Sequence, residues 1–429
     1  MVKNQAKTFS LKGNILYSES LNKIISAPNS YLVCENGKSA GIFDKLPEHF
    51  KGIPVKDWGN TLIIPGLVDL HMHAPQYSFC GIGMDQELLD WLNNYTFPEE
   101  AKYADFNYAA KAYKIFSNTL AASATTHACI FATVHVNSTC LLMELLEKTG
   151  VQAMVGKINM DRNCPQNLKE ISPEQSLKDT ERWLDKCKGK YKNIKPILTP
   201  RFTPSCTDDL LKGLGELQKK ERIPLQSHLS ENRSEIDWVH ELCPNTTFYG
   251  ETYDRFGLLN YPAVMAHCVY SSDAEIDLLK RSGVFVAHCP QSNTNLASGI
   301  APIRAYLNSG LNVGLGTDVA AGFSISIFRA MSDAIQASKL RWCLVDNTLK
   351  PLSIPEVFYL GTKGGGKFFG KVGSFEKGYN FDAVVLDDAN LLSPQPLDPV
   401  KRLERIIYLS NERNIAAKYV SGIQLLHKT

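Results

Sequence analysis

Two textures of apolar spacing divide the chain. Up to residue 64, short apolar runs at 13–17, 31–34 and 39–43 are separated by Asn, Gly, Pro and Ser, which predicts short strands joined by turns. The far end repeats this texture. Residues 381–386 form a compact apolar run, and 417–426 read as a hairpin turning at Ser421-Gly422. Both ends are therefore β-rich and are expected to pair into one small domain. Between them, apolar runs of strand length recur at 62–70, 125–132, 151–159, 195–200, 223–227, 263–266, 283–287 and 311–316. Helical spacing marks 105–123, 172–188, 271–281 and 323–340, the second opening on a Ser-Pro-Glu start signal. Eight strand–helix units in a row predict an α/β fold, a closed TIM-like (β/α)8 barrel rather than a short doubly wound sheet. The longest insertion, residues 74–105, follows the first of these strands, where barrel loops ordinarily shape an active site.

Composition narrows the class. Of 429 residues 44% are apolar and 21% charged, ample for a large core and without a disorder signature. Lys plus Arg less Asp plus Glu is 46 − 44 = +2, which gives no electrostatic basis for binding nucleic acid or an anionic membrane. Eleven cysteines, an odd number with no C-x-x-C pair, read as reduced thiols in a cytosolic protein. Residues 1–13 hold no apolar leader segment, and no run approaches the ~18 apolar residues of a membrane span. A cytoplasmic globular protein with no nucleic-acid or membrane partner is expected.

Several polar residues sit at predicted strand ends. His71 and His73 close the first barrel run, and in a strand residues i and i+2 point to one side. His228 ends the fifth run, His267 the sixth, and Asp318 follows the eighth. Taken singly, such a residue is more often a satisfied polar group than a ligand. In a closed barrel, however, all strand C-termini converge on one face. His71, His73, His228 and Asp318 would then form an N₃O set suited to zinc, with a position left for water.

The stretch Pro65-Gly66-Leu67-Val68-Asp69-Leu70-His71-Met72-His73 resembles the strand-one signature of the amidohydrolase superfamily, and the later His, His and Asp fall in its order. The resemblance covers nearly the whole chain. It implies a catalytic metal barrel over 65–369 and a β-sandwich built from 1–64 and 370–429. Further stretches (His73-Ala74-Pro75-Gln76-Tyr77, Tyr95-Thr96-Phe97-Pro98-Glu99, Pro200-Arg201-Phe202, Ser227-His228-Leu229-Ser230-Glu231-Asn232 and Gly316-Thr317-Asp318-Val319) narrow it to the guanine deaminase family. Cys268 and the loop 290–299 depart from the family's pattern. No lysine ends the fourth strand, where a carbamate bridging two metals would sit, so one zinc per chain is expected, with Fe²⁺ the alternative.

The resemblance implies hydrolytic deamination of guanine to xanthine and ammonia by a homodimer. Glu231, three residues after His228, is the candidate general acid/base, and Asp318 can accept a proton from the attacking water. His267 would stabilise the tetrahedral intermediate. Gln76 and Arg201 would read the purine edge, Arg201 being a donor only and so suited to a carbonyl. Ala74, Pro75, His73 and His228 would also border the substrate, with Phe202 packing on the ring. Trp91 reads equally as ring-packing or as core of the insertion. His127 and His135 are expected to be satisfied polar residues, His288 stands between that and a site role, and His49, His240 and His427 read as surface. The alternatives are deamination of another heterocycle (a pterin, a triazine or a modified adenine) and a non-catalytic scaffold.

Overall fold

A computed structural model describes residues 7–427, with side chains to residue 425. In chain order the strands are β1 (Thr8–Ser20), β2 (Lys23–Glu35), β3 (Lys38–Phe43), β4 (Val55–Pro65), β5 (Leu67–His73), β6 (Thr125–Phe131), β7 (Gln152–Gly156), β8 (Ile158–Asn159), β9 (Ile194–Pro196), β10 (Thr199–Pro200), β11 (Leu225–Leu229), β12 (Ala263–His267), β13 (Phe285–His288), β14 (Asn312–Leu315), β15 (Ala383–Leu386), β16 (Ile415–Val420) and β17 (Ile423–His427).

The two chain ends meet, as their shared texture predicts. One seven-stranded sheet runs β17-β16-β15-β4-β1-β2-β3. Phe9, Leu11, Ile15, Leu32, Phe381 and Tyr419 form its own core. The hairpin at Ser421-Gly422 pairs Val420 with Ile423. Residues 1–6, part of the segment read for a leader, and the side chain of His427 lie outside the described residues.

The apolar run at 62–70 is divided between two sheets. Residues up to Pro65 complete β4 in the terminal sheet, and β5 begins at Leu67. Gly66 stands between them, packed so closely that a Cβ would lie 2.2 Å from Thr126 Oγ1. Hydrophobic spacing does not register the crossing because both halves are buried. The runs at 151–159 and 195–200 likewise break into pieces, β7 with β8 and β9 with β10.

The remaining strands are parallel, in the orders β5-β6-β7-β9 and β11-β12-β13-β14, with a short pair β10-β8. A parallel bridge from Leu198 to Leu225 joins one edge of these sheets. At the other, the Asp318 N–H donates to the His71 carbonyl (2.9 Å) and the His73 N–H to the Val319 carbonyl (3.0 Å). Strand side chains divide between two clusters. Val68, Leu70, Cys129, Val264 and Ala287 pack with Phe368 and Val372. Leu67, Met72, Ile130, Val155 and Met265 pack against helical residues such as Tyr113, Phe116 and Leu210. Burial on both faces is why these strands read as continuous apolar runs and not as alternation.

The helix read at 105–123 is Phe106–Ala122, capped by the Asp105 side chain, and that at 172–188 is Pro173–Cys187, capped by Ser172. Those read at 271–281 and 323–340 begin later, at Asp273 and Ile327. The 74–105 insertion is largely helical, with Leu88–Trp91, a π turn at Leu92–Thr96 and Phe97–Ala101 in succession. Among the described residues, no helix is long and apolar enough to cross a membrane.

Candidate active site

The C-terminal ends of the parallel strands deliver the predicted residues to one place. His71 and His73 leave β5 on the same side, His228 lies in β11, His267 ends β12, and Asp318 sits on the turn after β14. Asp318 Oδ1 lies 3.1 Å from His71 Nε2 and 3.4 Å from His73 Nε2, and the Nε2 atoms of His73 and His228 are 3.2 Å apart. All are buried. The Phe131 ring backs three of the imidazoles, with centroids 5.0, 4.6 and 4.9 Å from His71, His73 and His228.

Backbone geometry holds these groups in place. Asp318 (φ 49°) and His267 (φ 74°) occupy the left-handed region, which non-glycine residues seldom adopt outside functional turns. Wholly buried Asp69 accepts from the N–H groups of His71 and Thr317, both at 3.1 Å, and from the Thr317 hydroxyl at 2.5 Å. It thereby ties β5 to the turn carrying Asp318. That role was not evident in the sequence, where Asp69 is one polar position inside an apolar run.

The donor chemistry fits a cation. His228 Nδ1 is 2.6 Å from the Arg201 carbonyl oxygen, which can only accept, so the ring proton sits on Nδ1 and Nε2 is a bare lone pair. His71 Nε2, though near Asp318, is buried with no hydrogen-bond partner. Two sets of side chains bring ligand atoms within 4.8 Å of one another, His71 with His228 and His267, and His71 with Cys289 and Asp318. Burial keeps the imidazoles of His71, His73 and His228 in their neutral, ligating form at ordinary pH. Burial opposes ionisation of Asp318, but His71, His267 and His73 more than offset it and hold the carboxyl well below the usual carboxylate range. Cys289 is different: burial, and then the charge of Asp318, push its thiol well up.

Glu231 faces the same point. Its Oε2 lies 3.4 Å from His267 Nε2, and Oε1 accepts from the Ser298 hydroxyl at 3.2 Å. Burial, reinforced by the Asp318 charge, raises its pKa well above the ordinary value, so it holds a proton where most carboxylates do not. It precedes Asn232, the cap of helix Arg233–Leu242, and so is not a first-turn residue. That place belongs to Glu235, whose Oε2 accepts the N–H groups of Glu231 (3.0 Å) and Asn232 (3.3 Å). His267 donates through Nδ1 to Asn293 Oδ1 at 2.9 Å, which leaves its Nε2 facing Glu231 and Asp318.

Beside this cluster lies a pocket lined by Gln76, Trp91, Arg201, Phe202 and Leu296 together with His73, His228, Glu231, His267 and Asp318. Trp91 meets both of its readings, lining the pocket and packing on Phe79 at 5.4 Å within the core of the insertion. Gln76 and Arg201 come together through Glu100, which the sequence reading missed. Within a charged pair of glutamates in an insertion, Glu100 gave no signal of its own. Ala74 and Pro75 do not line the pocket: Ala74 joins the main core and the Pro75 carbonyl accepts from Tyr103 Oη at 2.8 Å. Their place just before Gln76 still sets where its side chain starts.

The other histidines divide as follows. His127 is buried near the start of β6, its Nδ1 3.8 Å from Asp382 Oδ2 of the terminal sheet, away from the strand ends that carry the site. His135 is half-buried beyond β6. His288 ends β13 near His267, and burial lowers it to about 3. His49 and His240 are exposed, as expected.

The amidohydrolase family pattern matches residues 62–424. The chain is 35% identical to a guanine deaminase of Dictyostelium discoideum, over 96% of both chains. It is 39% identical to the Mus musculus guanine deaminase, over 88% of this chain and 86% of that one. Among solved structures it resembles a guanine deaminase from C. acetobutylicum with guanine in its active site: TM-score 0.95, 50% identity, covering 98% of this chain and 100% of that one. The chain belongs to the amidohydrolase family, among its guanine deaminases.

Proposed function

We propose that this protein is a guanine deaminase, a hydrolase that converts guanine and water to xanthine and ammonia by breaking a C–N bond. One observation carries the reading. A single pocket joins the His–Asp cluster, the buried Glu231 and the linked pair Gln76 and Arg201. Likeness to relatives bearing that activity supports it over most of the chain.

The two four-stranded sheets, tied at both edges, are read as one (β/α)8 barrel over 65–369. The terminal sheet with its separate core is read as the β-sandwich formed by 1–64 and 370–429. His71, His73, His228 and Asp318 are assigned to one zinc per chain, with Fe²⁺ equally compatible with N and O ligands. A zinc ion there supplies a nucleophile at neutral pH by lowering the pKa of water from 15.7 to about 7.

The chain's own groups do the rest. Asp318, kept ionised, takes a proton from the attacking water. Glu231, kept protonated, gives that proton to a ring nitrogen and makes the adjacent amino-bearing carbon electrophilic. As the C–N bond breaks, Asp318 passes the proton it took to the departing amine, and Glu231 recovers one from the hydroxyl added by the water, which becomes the new carbonyl. His267 presents Nε2 towards the same oxygen. Arg201 and Gln76 donate to the purine carbonyl, while Trp91, Phe202 and Leu296 hold the flat ring and exclude water. A homodimer in the cytoplasm completes the proposal, on family resemblance.

The test is a ranking of kcat/KM over guanine, adenine, guanosine, a pterin and a triazine. Guanine is expected first by a wide margin. A higher value for any other compound would overturn the assignment while keeping the hydrolase class.

A further inference from the structure

We propose that Glu100 is a positioning residue that fixes the hydrogen-bond polarity of the purine-reading wall, and so sets the preference for a 6-oxo over a 6-amino ring. The proposal rests on the guanine reading of Gln76 and Arg201.

Glu100 lies in the helix Phe97–Ala101 of the insertion and is wholly buried. Its carboxylate spans the two reading residues. Oε1 accepts from Gln76 Nε2 at 3.0 Å and Oε2 from Arg201 Nη1 at 2.5 Å. Gln76 is also held from the other end, since its Oε1 accepts the Ala320 N–H at 3.3 Å. An amide can otherwise rotate to exchange its carbonyl and NH₂ ends. Here both ends are occupied in one sense only, so the NH₂ group lies on the Arg201 side with one N–H still free. Arg201 keeps its unpaired N–H groups and packs over the Phe97 ring at 5.1 Å from the centroid.

Two consequences follow. The free groups that Gln76 Nε2 and Arg201 offer together are donors, which complements a carbonyl oxygen with two lone pairs and opposes an amino group. In addition, the Arg201 charge is matched by Glu100 within the same dry wall. The pair is neutral overall, which suits an uncharged ring. A buried Arg left without its carboxylate would carry an uncompensated charge and lose its fixed orientation.

The experiment compares kcat/KM for guanine and for 2,6-diaminopurine, which keeps the reacting 2-amino group and replaces the 6-oxo group, with the N1 proton that accompanies it, by a 6-amino group. It uses the metal-loaded protein, Glu100→Gln and Glu100→Asp, with kcat, KM and metal content measured for each. The unaltered protein should prefer guanine by about 10⁴-fold, the scale at which a site built to hydrogen-bond one group rejects an analogue lacking it. In Glu100→Gln that ratio should fall by about tenfold or more, chiefly through KM for guanine, with one metal per chain retained. Glu100→Asp keeps the charge but is one methylene short of spanning both donors, and should give an intermediate ratio. A loss shared equally by both purines in Glu100→Gln would mark a merely structural role and overturn the proposal. If Glu100→Gln does not fold, the Asp variant decides alone: a reduced ratio supports the proposal and an unchanged one overturns it. A ratio near one in the unaltered protein would overturn the guanine reading itself, and this assignment with it.

Discussion

The backbone carbonyl of Arg201 accepts the Nδ1 proton of His228 at 2.6 Å, so one residue serves two purposes. Its carbonyl sets the tautomer of His228, and its side chain lines the pocket. Arg201→Lys separates the two. The backbone bond persists, so metal content should stay at that of the unaltered protein. The guanidinium fork is lost, and kcat/KM for guanine should fall by about 10–100-fold, the worth of a charge-assisted pair. Elemental analysis beside steady-state kinetics checks this; loss of the metal would contradict the division of roles.

Glu231 and His71 should fail in different ways. Glu231→Gln keeps the ligand set and removes the proton carrier, so metal should remain while kcat drops by about 10²–10⁴-fold. His71→Ala removes a ligand, and tightly bound metal should disappear with the activity. A Glu231→Gln protein of near-normal turnover, or a His71→Ala protein with one metal per chain, would show that the roles are wrongly assigned.

At Gly66 the chain passes from β4 to β5 with Thr126 against it. Gly66→Ala would force its Cβ into that β-branched side chain, whose χ1 is stiff. Overpacking of this kind costs about 1–3 kcal/mol. A lowered thermal midpoint is expected, with activity at low temperature largely retained because the site lies at the other end of β5. An unchanged midpoint would mean that the strand relaxes without strain.

Lys418 of β16 is wholly buried and donates to the carbonyl oxygens of Leu120 (3.2 Å), Ser123 (2.8 Å) and Thr125 (3.1 Å), tying the terminal sheet to the parallel-strand domain. Burial lowers its amine from 10.5 to about 7. Between those values the unfolded chain holds more protons than the folded one, so this residue's contribution to stability rises with pH across that window. The slope is at most about 1.4 kcal/mol per pH unit. Measured by denaturant unfolding from pH 7 to 10, the stability of the unaltered protein relative to Lys418→Gln should shift in its favour. A difference that is constant with pH would contradict the lowered amine.

The His–Asp cluster and Glu231 were legible because each member sits at or just beyond the end of an apolar run, and strand geometry converts such positions into one converging set. Ser172 announced its helix for a similar reason, since a cap is local, whereas the helix Phe106–Ala122 showed only in its apolar spacing. Other features depend on contacts far apart in the chain. Glu100 acquires meaning only when the insertion folds back onto Arg201. Asp69 looks like an interruption of a strand until Thr317 is brought against it. The division of 62–70 at Gly66 leaves no trace in hydrophobicity, because the terminal sheet and the parallel strands bury their shares equally well. The short helices of the insertion, broken by a π turn, are too brief to carry a clear period.

The most direct measurement is the yield of products from guanine by purified, metal-loaded protein. Ammonia and xanthine should appear in equal amounts, one of each per guanine consumed. Metal-loaded protein that releases no ammonia from guanine, or that yields ammonia without xanthine, would contradict the assignment at its centre.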